Sequence, residues 1–271
     1  MPWIAGTFDF PEIAEAAAAA VLAGPRWADG AVLGFDTETT GVDVETDRIV
    51  SAALVRRHGA TTTATSWLLD PGVDIPAGAS AIHGITTQHA RAHGRPPAGA
   101  LEEIAAQLAD ALRRGEPVVA FNACFDLSLL DAELRRHGRP TLADRLGGAP
   151  RAVIDPLVLD RHLDPYRSGR RTLGDLCEHY RVTSTARLHT ADVDVVATLD
   201  VLHAMTVRFP EVAGMSLPEL FSLQVTAHGA WAEGFNAGRT TRGLTGPGAD
   251  AAWPVRWEPA LAGGVATGPA A

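Results

Sequence analysis

Four carboxylates and a histidine are the residues of this chain whose types and spacing invite chemistry. Asp36 and Glu38 stand two apart where an apolar run, residues 32–41 "VLGFDTETTG", gives way to a turn. Asp126 heads a helix-like run directly after the short apolar stretch of "VVAFNACFD". Asp194 lies five residues after His189 in "HTADVD", at the start of a long helical pattern. In a mixed α/β sheet, sites gather at strand ends and the adjoining helix starts. Four carboxylates meeting there repel one another strongly in a poorly solvated cleft, and a divalent cation is the economical remedy. Oxygen-only donors favour a hard ion, Mg²⁺ or Mn²⁺, over zinc.

The whole chain narrows what such a site could serve. With 271 residues, 46% of them hydrophobic, it has enough chain to bury a full core. No apolar segment approaches the ~20 residues needed to cross a bilayer, and residues 1–24 lack a basic stretch before an apolar core. Two cysteines, Cys124 and Cys177, are too few for a disulfide framework or a zinc cluster. The expected compartment is the cytoplasm. The net charge of −9 argues against a protein that coats polyanions through many cationic contacts. All 23 basic residues are arginine, so P-loop, Schiff-base and kinase-type lysines are excluded. GxSxG and HExxH are also absent, which removes the usual signatures of serine hydrolases and zincins.

The elements that must position the carboxylates follow from periodicity. Residues 31–36, 47–56 and 63–70 read as three strands with short connections, which implies antiparallel pairing. A Pro/Gly-rich loop follows at 71–86, then an amphipathic helix over 101–114. Residues 117–121 and 151–155 read as short strands, and 124–138, 171–180 and 189–205 as helices. The expectation is an α/β protein with a mixed central sheet and helices on both faces. Residues 1–29 form an N-terminal helical extension, 30–208 the main domain and 209–239 a C-terminal helical extension. The Gly/Ala/Pro-rich stretch 240–271 is expected to be disordered, with Trp253 and Trp257 able to dock back on the domain or a partner.

In order along the chain, "FDTETTG", "HGIT", "NACFDLSLL" and "HTADVD" resemble the motifs of the DnaQ-like, DEDDh-type 3′–5′ exonucleases, the family of the DNA polymerase III epsilon proofreading subunit. The resemblance spans roughly residues 30–208. It implies a ribonuclease-H-like fold, a five-stranded sheet whose first three strands are antiparallel. It also implies two divalent ions, which bind the scissile phosphate, polarise the attacking water and stabilise the leaving oxygen. By this resemblance Asp36 bridges both ions, with Glu38, Asp126 and Asp194 completing their shells. His189 is the general base; an ordinary imidazole pKa of ~6.5 leaves it mostly neutral near pH 7. Asp192 competes locally with Asp194, but at ~100° per residue the two point ~200° apart and only one can face the metals. The family spacing selects Asp194. Asp155, in "VIDP", reads as a structural or supporting carboxylate.

Substrate contacts are expected from Thr39 and Thr40 in the turn after Glu38, and from His83 in a loop closing over the strand's 3′ end. Asn122 and Phe125 would position and stack the strand, with Phe121 standing where the family often has histidine. Arg170 and Arg171, beside a helix start, are phosphate candidates. The expected function is a metal-dependent 3′–5′ exonuclease that releases nucleoside 5′-monophosphates, on DNA rather than RNA because "HGIT" favours the proofreading branch. Trimming of RNA 3′ ends is the alternative, since that choice rests on contacts around the 2′-OH. A non-catalytic binding module is a third reading, and a polymerase subunit is a possible partner.

Overall fold

The computed structural model describes residues 26–182 and 190–256. Its centre is a five-stranded sheet in the order β3-β2-β1-β4-β5. Strands β1 (Val32–Thr39), β2 (Ile49–His58) and β3 (Thr61–Leu68) pair antiparallel, and β4 (Val118–Val119) and β5 (Val153–Ile154) run parallel to β1. This is the expected mixed sheet. One difference matters: β1 does not end at Asp36. Thr37 and Thr39 are β-branched and suit a pleated strand. Every residue from Val32 to Glu38 pairs in step with β2, and the register slips only between Glu38 and Thr39. The two carboxylates therefore sit inside a strand, two residues apart, and share one face of it.

Ten α-helices are described. α1 (Ala77–His83), α2 (Thr87–His93) and α3 (Pro97–Arg113) follow β3, and α4 (Ala123–Arg136) and α5 (Leu142–Leu146) follow β4. α6 (Pro156–Leu163), α7 (Leu173–His179), α8 (Ala191–Arg208), α9 (Pro210–Gly214) and α10 (Leu217–Thr241) complete the chain. The Pro/Gly-rich stretch expected to be a loop thus contains α1 and ends on Thr86, the residue that caps α2. Pro76 precedes the first helical residue, where a missing N–H costs nothing, and the Thr86 side chain accepts from the His89 N–H to start α2.

Alternation along β1 and β2 builds a core on each face. Leu33 and Phe35 of β1 and Leu54 of β2 pack with α3 and α4, while Ala53 and Val55 of β2 pack with α7 and α8 on the other side. α8 lies close against β1 because Gly34 has no side chain: a Cβ there would overlap the Val195 side chain and crowd Leu199. A buried network ties α6 to α7, with Asp160 accepting from Arg167, Arg171 and the Tyr180 hydroxyl.

The expected disorder from residue 240 onward is corrected as far as Arg256. α10 runs on through Thr241, and Trp253 is 7% exposed, packed in the core against Phe221. Burial of the indole and the bonds that Asn236 and His228 of α10 make to Ala249 and Asp250 together hold the stretch on the domain. The helix expected at 11–23, His189 and Trp257 lie outside the described residues. No described helix is long and apolar enough to cross a membrane.

Candidate active site

Two helices aim their first turns at β1 from opposite faces of the sheet. α8 brings Asp194 to the face that carries Asp36 and Glu38. Carboxylate oxygens of these three residues all lie within 4.8 Å of one another. α4 approaches the opposite face with Asp126 in its own first turn, 3% exposed. There Asp126 Oδ1 accepts from the Thr37 backbone N–H at 3.1 Å and from the Thr37 hydroxyl at 2.6 Å. Thr37 sits between the two carboxylates of β1 with its side chain on the other face, so it anchors Asp126 without crowding Asp36 and Glu38.

The electrostatics are unfavourable for a bare site. Asp36 is held well above the ordinary carboxylate range, first by burial and then by the charges of Asp126, Asp194 and Glu38. Glu38 is pushed up to about 7, by burial and then by Asp194. Burial also raises Asp126, against the opposing effect of the two Thr37 donors. The positive ends of two helices point at this group, yet desolvation and mutual repulsion prevail. Such a set fits a hard divalent cation: all donors are oxygen, Asp36, Glu38 and Asp194 converge, and the raised pKa values of Asp36, Glu38 and Asp126 favour protons that a cation would displace. Asp192 is exposed and outside the group, on the solvent side of α8.

The turn after β1 is built from its own side chains. The Thr40 hydroxyl donates to Asp47 Oδ1 at 2.7 Å and accepts from the Arg48 N–H at 3.0 Å, and Gly41 leaves room for the Asp47 carboxylate. Thr40, expected among the substrate contacts, thus commits its hydroxyl proton to this turn. The Thr39 hydroxyl donates to the Gly41 carbonyl at 2.6 Å and keeps acceptor capacity.

His83 also departs from expectation. It is not a loop residue but the last residue of α1, and it is 7% exposed. Its Nδ1 accepts from the Ile85 N–H at 3.1 Å, which leaves the proton on Nε2. That nitrogen is buried, and it faces the Thr39 carbonyl without a hydrogen bond of good geometry. Burial lowers the pKa of the ring, so the imidazole is neutral and fixed beside the end of β1.

Asn122 and Phe125 stand at the start of α4. Asn122 is exposed in the left-handed region, φ 60°, and Phe125 is half-buried against the core. What holds this strained start is Asp155. Its carboxylate accepts from the N–H groups of Asn122 and Ala123 at 3.0 and 2.9 Å, from Leu157 N–H, and from the Trp253 indole. Gln224 of α10 accepts from the Asp155 N–H in turn. Asp155 is therefore the brace that sets α4, and through it Asp126. Arg171 does not serve as a free phosphate ligand, since its guanidinium is spent on Asp160 and neighbouring carbonyls. Thr37 and Gln224 escape sequence reasoning altogether; only the contact geometry reveals them.

Comparison with known proteins gives three findings. Residues 33–202 match the exonuclease family RNase_T. The chain is 32% identical over 165 residues to a PolC-type DNA polymerase III of Streptococcus thermophilus, covering 60% of this chain and 10% of the relative. It is 30% identical over 183 residues to the PolC-type polymerase of Lacticaseibacillus paracasei, covering 67% of this chain and 12% of the relative. The chain thus spans only about a tenth of these polymerases. Among solved structures, E. coli exonuclease I in complex with a dT13 oligonucleotide aligns at a TM-score of 0.56 and 22% identity, over 68% of this chain and 42% of the other. The exonuclease I of Methylocaldum szegediense aligns at 0.55 and 24%, over 73% and 43%. Both share the fold.

Proposed function

We propose, from the premise that this chain belongs to the exonuclease family RNase_T, that it is a divalent-metal-dependent 3′–5′ exonuclease acting on single-stranded DNA ends. The observation that carries the proposal is the convergence of Asp36, Glu38 and Asp194 within 4.8 Å at a site whose carboxylates resist ionisation. Two Mg²⁺ or Mn²⁺ ions would supply charge neutralisation at the scissile phosphate and activation of water at neutral pH. Asp36, which feels the charges of Asp126, Asp194 and Glu38, would be shared between the two ions. Glu38 and Asp194 hold one side and Asp126, oriented by Thr37, the other.

His189, five residues before Asp194, would take the proton from the water that attacks phosphorus; the P–O3′ bond breaks, the shortened strand keeps its 3′ hydroxyl, and the terminal unit is released as a nucleoside 5′-monophosphate. His83 stiffens the end of β1 beside the terminal nucleotide. Asn122 and Phe125 meet the strand at the head of α4. The preference for DNA rests on the relatives, which are DNA polymerases of PolC type. Those relatives also support action beside a polymerase, in the cytoplasm. Single-stranded DNA labelled at its 5′ end tests polarity. With Mg²⁺ or Mn²⁺ the protein should yield a ladder of shortening labelled strands. Release of labelled mononucleotide as the first product would refute the 3′–5′ assignment.

A further inference from the structure

We propose, building on the exonuclease reading, that a cleft of about 330 Å³ at the head of α4 binds the single-stranded segment upstream of the cleaved bond, through aromatic stacking and one phosphate contact. Its volume lies within the ~300–1,000 Å³ typical of small-ligand sites, enough for a nucleotide unit. Val42, Asn122 and Phe125 form the wall nearest the carboxylates; His228, Trp231 and Arg256 form the other. Val42 follows Glu38 by four residues, and Asn122 and Phe125 belong to the turn that carries Asp126. The cleft thus borders the turn that follows β1 and the start of α4. Its far wall comes from α10 and from residues 249–256, outside the part of the chain that matches the family.

The side chains there are set for such an occupant. Trp231 carries the Arg161 guanidinium on one face, 3.6 Å from its ring centroid, with Phe235 5.4 Å away, and borders the cleft with the part of its ring that these two leave uncovered. His228, Trp231 and Phe235 are spaced three and four apart, so they line one face of α10. His228 is 6% exposed. Its Nε2 donates to the Asp250 carbonyl at 3.0 Å, which leaves Nδ1 an acceptor with no donor. Asn122 presents its side chain at the rim from a backbone fixed by Asp155.

Arg256 is exposed and forms no ion pair within 4.0 Å among the described residues, and its charge reaches Asp43, whose carboxyl it helps to hold low, and the Cys124 thiol. Asp250 also borders the cleft, with its Oδ1 taken by the Ala252 N–H. Aromatic rings beside an exposed guanidinium are the recurrent means of holding single strands, and stacking tolerates any base. A guanidinium is suited to phosphate.

The test is binding of fluorescein-labelled octamers, (dT)₈ and (rU)₈, followed by anisotropy with EDTA present so that no strand is shortened. Trp231→Leu should weaken the preferred octamer roughly 5- to 100-fold, the range for one lost base–aromatic stack, and Trp231→Phe should restore most of it. Arg256→Gln, an exposed position whose change leaves the fold intact, should lower the salt slope by about 0.7, the share of one phosphate on a single strand. The two arms show whether DNA or RNA is the strand held. Absence of octamer binding by the wild type, or unchanged affinity and salt slope in both Trp231→Leu and Arg256→Gln, would overturn the cleft. Failure of the exonuclease reading looks different: strands bind as expected, yet none is shortened when Mg²⁺ is supplied.

Discussion

Thr37 carries no charge, yet it governs where a charge sits, because both of its donors end on Asp126. Loss of a group that orients a metal-binding carboxylate typically costs ~10- to 100-fold in metal affinity or activity. Thr37→Val should therefore fall in that range in steady-state hydrolysis with little change in substrate KM, and an unchanged rate would remove Asp126 from the site. The raised pKa values give a second expectation. Asp36, Glu38 and Asp126 have folded-state pKa values above their unfolded ones. Between pH 4 and about 7 the unfolded chain thus gives up protons that the folded chain retains, and stability falls as pH rises. In EDTA the melting temperature should drop across this window. Added Mn²⁺ should raise it more at pH 8 than at pH 5, where it competes with protons. A metal-free melting temperature that climbs steadily from pH 5 to pH 8 would contradict the electrostatics described here. Four of these side chains were legible in the sequence because chemistry restricts their type and order. Thr37 was not, since a threonine in a strand is ordinary until its partner 89 residues away is seen.

Between elements, the decisive contact is α8 on β1 at Gly34. Gly34→Ala would force Val195 and Leu199 back and carry Asp194 away from Asp36 and Glu38. Overpacking of this kind costs ~1–3 kcal/mol. Denaturant unfolding should show that loss, accompanied by a fall in activity. Gly229→Ala on α10, where nothing lies within 4 Å of the added Cβ, should instead stabilise by ~0.5–1 kcal/mol with activity intact. Equal effects at the two glycines would mean that the close approach of α8 does not position the site. Strand pairing and the long helices were readable because their periodicity is strong over many residues. The end of β1 and the helices α1 and α2 were not. A run of Thr and Glu looks like a turn until β2 is beside it, and Pro and Gly mark helix starts and stops as readily as loops.

Taken as a whole molecule, residues 242–256 act as a clamp rather than a tail. Trp253 fills the core and donates to Asp155, which braces the start of α4, while Gln224 of α10 ties the same strand end. Trp253→Ala should cost ~3–5 kcal/mol of stability, the usual penalty for an emptied aromatic site, measurable by urea unfolding. A loss below ~1 kcal/mol would show that residues 242–256 are peripheral. Composition misled here because Gly, Ala and Pro dominate the stretch, while the contacts that order it come from Trp253 and from α10. The central claim also belongs to the whole molecule, since a cation held between β1 and α8 would join distant parts of the chain. It is tested most directly by calorimetric titration of Mn²⁺ at pH 7.5 into the wild type, Asp192→Asn and Asp194→Asn. The account expects tight, proton-releasing binding that Asp192→Asn leaves unaltered and Asp194→Asn weakens by at least about tenfold, in line with losing a carboxylate ligand. Equal Mn²⁺ affinity in the wild type and Asp194→Asn would contradict it.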